Sequence, residues 1–167
     1  MTEKVMDQEI LNIILKDTYS LTSLKHRLRI LKSNLLKTFF GGENNQTLSF
    51  TAQDLNWLQF LPEGFYRKFN KDNVYQILTG LEKGISGLPT LTIYLTFEPD
   101  DTTLSRIGSV ARKTFNSPFL ILDIKLDPNL IAGAALVWKG VYRDYSLRAK
   151  VENRKLEIIG EFKKFLR

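Results

Sequence analysis

The sequence contains no cysteine at all, which excludes disulfides and thiolate metal sites. This absence fits a cytosolic protein. There is a single histidine, His26, and it stands among Lys25, Arg27 and Arg29 with no carboxylate pair at ligand spacing. His26 is therefore expected as a surface residue rather than a metal ligand. With one His and no Cys, His-dependent triads and Cys nucleophiles are both nearly closed routes. No apolar run approaches the ~18 residues that a membrane span needs, the longest lying near Ile131 to Trp138. The opening MTEKVMDQE is charged and lacks the apolar region of a signal peptide. Any membrane association is expected to come through a partner.

What remains is ordinary globular material: 167 residues, 43% hydrophobic and 25% charged, enough for one domain or two small ones. The net charge of +6 is unevenly placed. Residues Lys139 to Arg167 hold nine Lys/Arg against four Asp/Glu, so five of the six net positive charges lie there. A basic C-terminal helix can meet nucleic acid, anionic lipid or an acidic protein. The interspersed acids favour a solvated helix face over a nucleic-acid patch.

Residues 1 to about 88 carry helical periodicity. Asp7 is placed to cap a first helix bearing Ile10, Leu11, Ile13, Ile14 and Leu15. Ser20 or Thr22 is placed to cap a second, in which Leu21, Leu24, Leu28, Leu31 and Leu35 recur at spacings of three and four. That stripe covers two heptads, which suits a bundle helix better than a coiled coil. Gly41-Gly42 ends it, and Glu43 to Gln46 reads as a loop. Thr51 with Asp54 resembles a capping box opening a short helix with Leu55, Trp57, Leu58 and Leu61. Pro62 and Gly64 break it. A fourth helix is expected from about Asp72 to Ile85, followed by a linker at Gly84 to Pro89.

Past the linker the period changes to two. Leu91, Ile93, Leu95 and Phe97 alternate with polar or amphipathic residues, a strand signal. Asp101 or Thr102 is placed to cap a helix through about Phe115, with Leu104, Ile107, Val110 and Ala111 apolar. A second strand follows Pro118, with Asp123 expected to face water. Ala134 to Trp138 and Val141 to Asp144 suit a hairpin turning at Lys139-Gly140, and a last helix begins near Ala149. The expected fold is α+β: a helical bundle over residues 1–86, then a small α/β domain over 89–167 ordered strand-helix-strand-strand-strand-helix.

No chemistry stands out. Gly41-Gly42 and Gly84-Ile85-Ser86-Gly87 lack the flanking residues of phosphate loops and read as helix ends. Asp100-Asp101 reads as a cap. The aromatic residues fall at core periods, with no RNP-like alternation against Lys/Arg. No catalytic, cofactor or metal site is expected, and enzymatic activity is not expected either.

The stretch Leu120 to Val151 is the specific part. Asp127, Pro128, Leu130 and Gly133 follow a strand, and Asp144, Ser146, Arg148 and Lys150 follow a hairpin. This order and spacing resemble the C-terminal signature of the delta subunit family of F-type ATP synthases, which includes the oligomycin-sensitivity-conferring protein. The resemblance spans about residues 89 to 165. Ala132 stands where the family has the first of two glycines, Tyr145 takes a usual glycine position, and the family's opening Tyr-Ala-x-Ala-Leu pattern is missing. The family opens with six helices, whereas four are recognisable here.

The resemblance implies a non-catalytic peripheral-stalk subunit without cofactors. Its partners would be the alpha and beta subunits of the catalytic head and the b subunit of the stalk, in a heteromeric complex without nucleic acid. Its place would be the cytoplasmic face of the inner membrane, reached only through that complex. Residue chemistry gives the signature structural roles as well: Gly133 for close backbone approach, Pro128 for a fixed turn, Asp144 and Ser146 as caps. The alternative is a small basic nucleic-acid-binding or adaptor protein using the C-terminal helix. A relative of the delta subunit serving another assembly is a third possibility.

Overall fold

The computed structural model describes residues 3–41 and 50–165. Gly42 and the polar loop at Glu43 to Gln46 lie outside the described residues. The fold is α+β, with helices leading, a four-stranded mixed sheet following and a helix at the end.

Helix α1 (Glu3–Lys16) buries Ile10, Leu11, Ile14 and Leu15. Asp7 lies inside this helix and does not cap it, because helical backbone already begins at Glu3. Its carboxylate instead lies against Gly80, where an added Cβ would collide with it. Helix α2 (Leu21–Phe40) is capped by Ser20, whose hydroxyl accepts from the Ser23 amide at 3.1 Å. It ends at Gly41 in the left-handed conformation, φ 59°. Leu24, Leu28, Leu31 and Leu35 are buried as their spacing requires.

Helix α3 (Ala52–Phe60) opens on the expected capping box: Thr51 Oγ1 accepts from the Asp54 amide, and Asp54 accepts from the Thr51 amide. Leu58 and Leu61 are buried, but Leu55 is exposed. Pro62 then starts a further short helix, α4 (Glu63–Tyr66), rather than only ending α3. Proline has no amide to lose at a helix start, so the breaker of one helix initiates the next. The helical region therefore has five helices among the described residues, not four. Helix α5 (Val74–Ser86) buries Val74, Ile77, Leu78 and Leu81 against α1 and α2.

Strand β1 (Thr90–Leu95) pairs parallel with β2 (Ile121–Leu126) and antiparallel with β3 (Ala134–Trp138), which pairs with β4 (Val141–Asp144). The spatial order is β2-β1-β3-β4. Helix α6 (Asp101–Thr114) makes the crossover from β1 to β2. Its cap is Asp100, the first of the Asp100-Asp101 pair that reads as a cap, and not Asp101 or Thr102; it accepts from the Thr103 amide at 2.7 Å. Ala111 is buried and Leu104 and Ile107 are half-buried, but Val110 is 64% exposed and faces away from the core. The hairpin turns at Lys139-Gly140, both with positive φ, as a two-residue turn of this hand requires. Helix α7 (Leu147–Phe165) ends the described chain.

Two cores result. Helices α1 to α5 enclose one; Leu91, Ile93, Leu95, Ala111, Leu120 and Leu122 form the other. Adjacent strand residues point to opposite faces, so β2 contributes to both: Ile121 enters the helical core and Leu122 the sheet core. Asp123 is half-buried, 3.7 Å from Lys125, rather than simply facing water. Burial stops along β2, and Leu126 is exposed.

Candidate partner-docking surfaces

Six of the eight signature residues meet at one joint at the root of α7. Asp127 caps a 3-10 turn over Pro128–Leu130 by accepting from the Asn129 amide, and its own amide bonds Leu95 O at 2.8 Å, tying the turn to β1. Pro128 occupies the first position of that turn, where its fixed φ is favourable. Leu130 is buried beneath it. Gly133 has φ +91°, and a Cβ there would lie 2.8 Å from Tyr145 O, so neither the space nor the backbone admits a side chain. Leu147 N donates to Ala132 O at 2.8 Å, and Tyr145 N to Ala134 O at 2.9 Å. These bonds close β4 and the start of α7 onto the 3-10 turn.

Asp144 and Ser146 finish the joint. Asp144 Oδ1 accepts from the Ser146 amide at 2.8 Å, and Ser146 Oγ accepts from the Ala149 amide at 3.2 Å, the N-cap bond of α7. Ser146 is fully buried. Hydrogen bonding from Ser146, which favours the ionised form, holds the Asp144 carboxyl below the usual carboxylate range. Arg148 and Lys150 stand apart from this group. Arg148 pairs with Glu152 one turn on, at 3.1 Å, and Lys150 is exposed.

Three of the surfaces open among the described residues bear on docking. The first is α7 itself: no described side chain along it is buried, and Leu156, Phe162 and Val151 are among its exposed apolar residues. The second is a groove of about 900 Å³ between α6 and the outer strands. Ile107, Val110, Leu136, Trp138 and Val141 form its apolar floor, and Arg106, Lys139 and Arg143 add positive charge. Among the described residues, no Asp or Glu lines it. The third is a groove of about 1180 Å³ between α1 and α5, with Leu11, Asn12, Tyr75, Thr79, Gly80 and Lys83 among its lining residues. The second groove was not legible in the sequence. Its signal, visible only in retrospect, is the trio Trp138, Val141 and Arg143 on the hairpin face opposite Asp144.

His26 is half-exposed, as expected, but has the carboxylate partner that its sequence neighbourhood did not offer. Its Nε2 lies 3.0 Å from Asp54 Oδ1, across 28 residues, while Arg29 lies 3.1 Å from Nδ1. Arg29 can only donate, so Nδ1 accepts and Nε2 carries the proton given to Asp54. Burial pushes the Asp54 carboxyl up, but the bonds from Thr51 and His26 outweigh it and leave it below the ordinary value. Among the described residues, no group of three or more His, Cys, Asp and Glu is placed to hold a metal ion. Among the same residues, no helix is long and apolar enough to cross a membrane.

No protein-family model matches the chain, and no curated protein matches it significantly.

Proposed function

We propose that the chain is a peripheral-stalk subunit of an F-type ATP synthase, linking the catalytic head to the membrane-anchored b subunit while protons drive synthesis. The carrying observation is the spacing from Asp127 to Lys150, in which Asp127, Pro128, Leu130, Gly133, Asp144 and Ser146 converge on the root of α7. That joint gives the signature a physical purpose: it aims a long, uncovered helix. The apolar groove with a basic rim beside it suits a partner helix carrying acidic residues. The groove between α1 and α5 offers the helical region a second site, facing the head. The work is mechanical coupling through interfaces, with no reaction, cofactor or metal assigned to any residue.

Detergent-solubilised membranes supply the test. A tagged copy of the chain is expected to co-purify with the alpha, beta and b subunits. A preparation enriched in none of them would sink the proposal. Salt titration of nucleic-acid binding separates the alternative, since counterion release makes such binding weaken steeply with salt.

A further inference from the structure

The connection between α1 and α2 is bonded more completely than a surface turn needs to be. A helix end leaves its last carbonyls without intrahelical partners, and a glycine turn commonly satisfies them. Here there is no glycine, yet every carbonyl from Leu15 to Ser20 has a donor. Arg112, on α6, reaches three of them: Nη2 donates to Leu15 O at 3.0 Å and to Thr18 O at 2.6 Å, and Nη1 to Lys16 O at 3.5 Å. Arg27 of α2 donates to Asp17 O at 2.9 Å. Leu122 N, in β2, donates to Tyr19 O at 2.8 Å, and Leu24 N to Ser20 O at 3.0 Å.

The same guanidinium holds the sheet side. Arg112 Nε donates to Leu120 O at 3.1 Å, at the entry to β2. Its planar fork therefore spans both regions, a geometry that lysine cannot reproduce. Its charge also sits at the negative end of the α1 dipole. Tyr19 fills the remaining space, with its ring 4.5 Å from the Arg112 guanidinium carbon and packed on Gly108, where a Cβ would come within 2.8 Å of ring carbons. Ser20 forms a parallel bridge with Leu122, so the connection lies along the edge of the sheet beside β2. On the far side of the same strand, Ile121 N donates to Pro89 O at 2.9 Å, which fastens the segment that the sequence presents as a linker.

We propose that Asp17–Ser20 is the mechanical joint of this molecule and Arg112 its clamp, so that the helical region and the sheet form one cooperative unit with no hinge between them. A load on one region then reaches the other through β2 and α6. The inference stands on these bonds and does not depend on the stator assignment.

The lack of native cysteine makes the test direct. Cysteines introduced in the full chain as Tyr75→Cys on α5 and Val141→Cys on β4 carry spin labels on either side of the joint, both sites being 56% exposed. The otherwise unmodified chain is expected to give one narrow distance distribution, with the Leu122 amide as protected as the β1–β3 ladder. Arg112→Ala is expected to broaden the distribution and to speed exchange at Leu122 on the order of tenfold or more, leaving the β1–β3 amides unchanged. Arg112→Lys, which keeps the charge and loses the fork, is expected to act in the same direction and decides the matter if the alanine variant does not fold. Lys32→Ala, whose ion pair with Glu82 lies within the helical region and away from the joint, is expected to leave the distribution narrow. A broad or two-peaked distribution before the clamp is touched, or unchanged Leu122 protection in Arg112→Lys, overturns the proposal.

Discussion

Helices α2 and α7 are almost the same length, 20 and 19 residues, yet they stand in opposite environments. Helix α2 buries Leu24, Leu28, Ile30, Leu31 and Leu35, and α7 buries none of its described side chains. Both carry apolar residues at helical spacing. In α7, Leu147, Val151, Ile158 and Phe162 share a face, and all four are exposed among the described residues. Periodicity thus identifies a face without saying what lies on it. A helix without tertiary burial relies on its caps and its own ion pairs, which gives Asp144 and Ser146 at the start of α7 their structural weight.

Substitutions can break this comparison, and the largest effect is expected in α2. Leu31→Ala removes a fully buried side chain, and the lost transfer energy plus the cavity is expected to cost about 2–5 kcal/mol, read from urea denaturation. Gly133→Ala comes next. It forces a Cβ against Tyr145 O at positive φ, a strain of roughly 1–3 kcal/mol. Because that strain falls on the root of α7, helical circular dichroism and amide protection over α7 should fall together, while the α2 amides keep theirs.

Ser146→Ala removes the N-cap bond to Ala149 and is expected to cost about 1 kcal/mol, seen as fraying of α7. The same change at Ser20 should cost a similar amount globally but leave α2 helical, because packing holds it. That contrast sharpens the comparison.

The effect of pH at Asp144 is smaller. Its folded pKa is depressed, so the bonds from Ser146 stabilise the joint above the ordinary carboxylate pKa and are lost as pH falls toward the folded value. Asp144→Asn should therefore be less stable than the parent at neutral pH and converge with it in acid. Parallel urea midpoints that never converge would refute that account.

The smallest effect is expected from Phe162→Ala and Leu156→Ala, within about 0.5 kcal/mol, since both side chains are largely in water. Under the proposed function these two changes should nonetheless weaken recovery of the b subunit. Loss of stability comparable to Leu31→Ala would show that α7 packs on this chain in solution.

Local chemistry was legible wherever the interacting residues are neighbours. Ser20, the Thr51 and Asp54 box, the Lys139-Gly140 turn and the Asp144 and Ser146 cap are all settled within a few residues, so reading along the chain finds them. The close approach at Gly133 was legible for the same reason: few residues other than glycine tolerate such a turn before a strand. Illegible were the pairs separated by many residues. His26 with Asp54, Asp7 against Gly80, Tyr19 on Gly108, and Arg112 on the end of α1 each depend on which elements meet. The position of Asp7 shows the limit well, because its cap chemistry was sound but the helix extends past it to Glu3.

The sequence by itself determined the period of the longer elements, several of their ends and the α+β order, because hydrogen bonding of the backbone and side-chain spacing are local. Only the tertiary structure decided that β2 serves two cores, that Arg112 clamps the two regions together, and that α7 stands uncovered. Those outcomes depend on burial and on donors reaching carbonyls more than ninety residues away, as Arg112 does across 94 to 97 positions. Burial is a property of the assembled chain, and no short window of residues contains it.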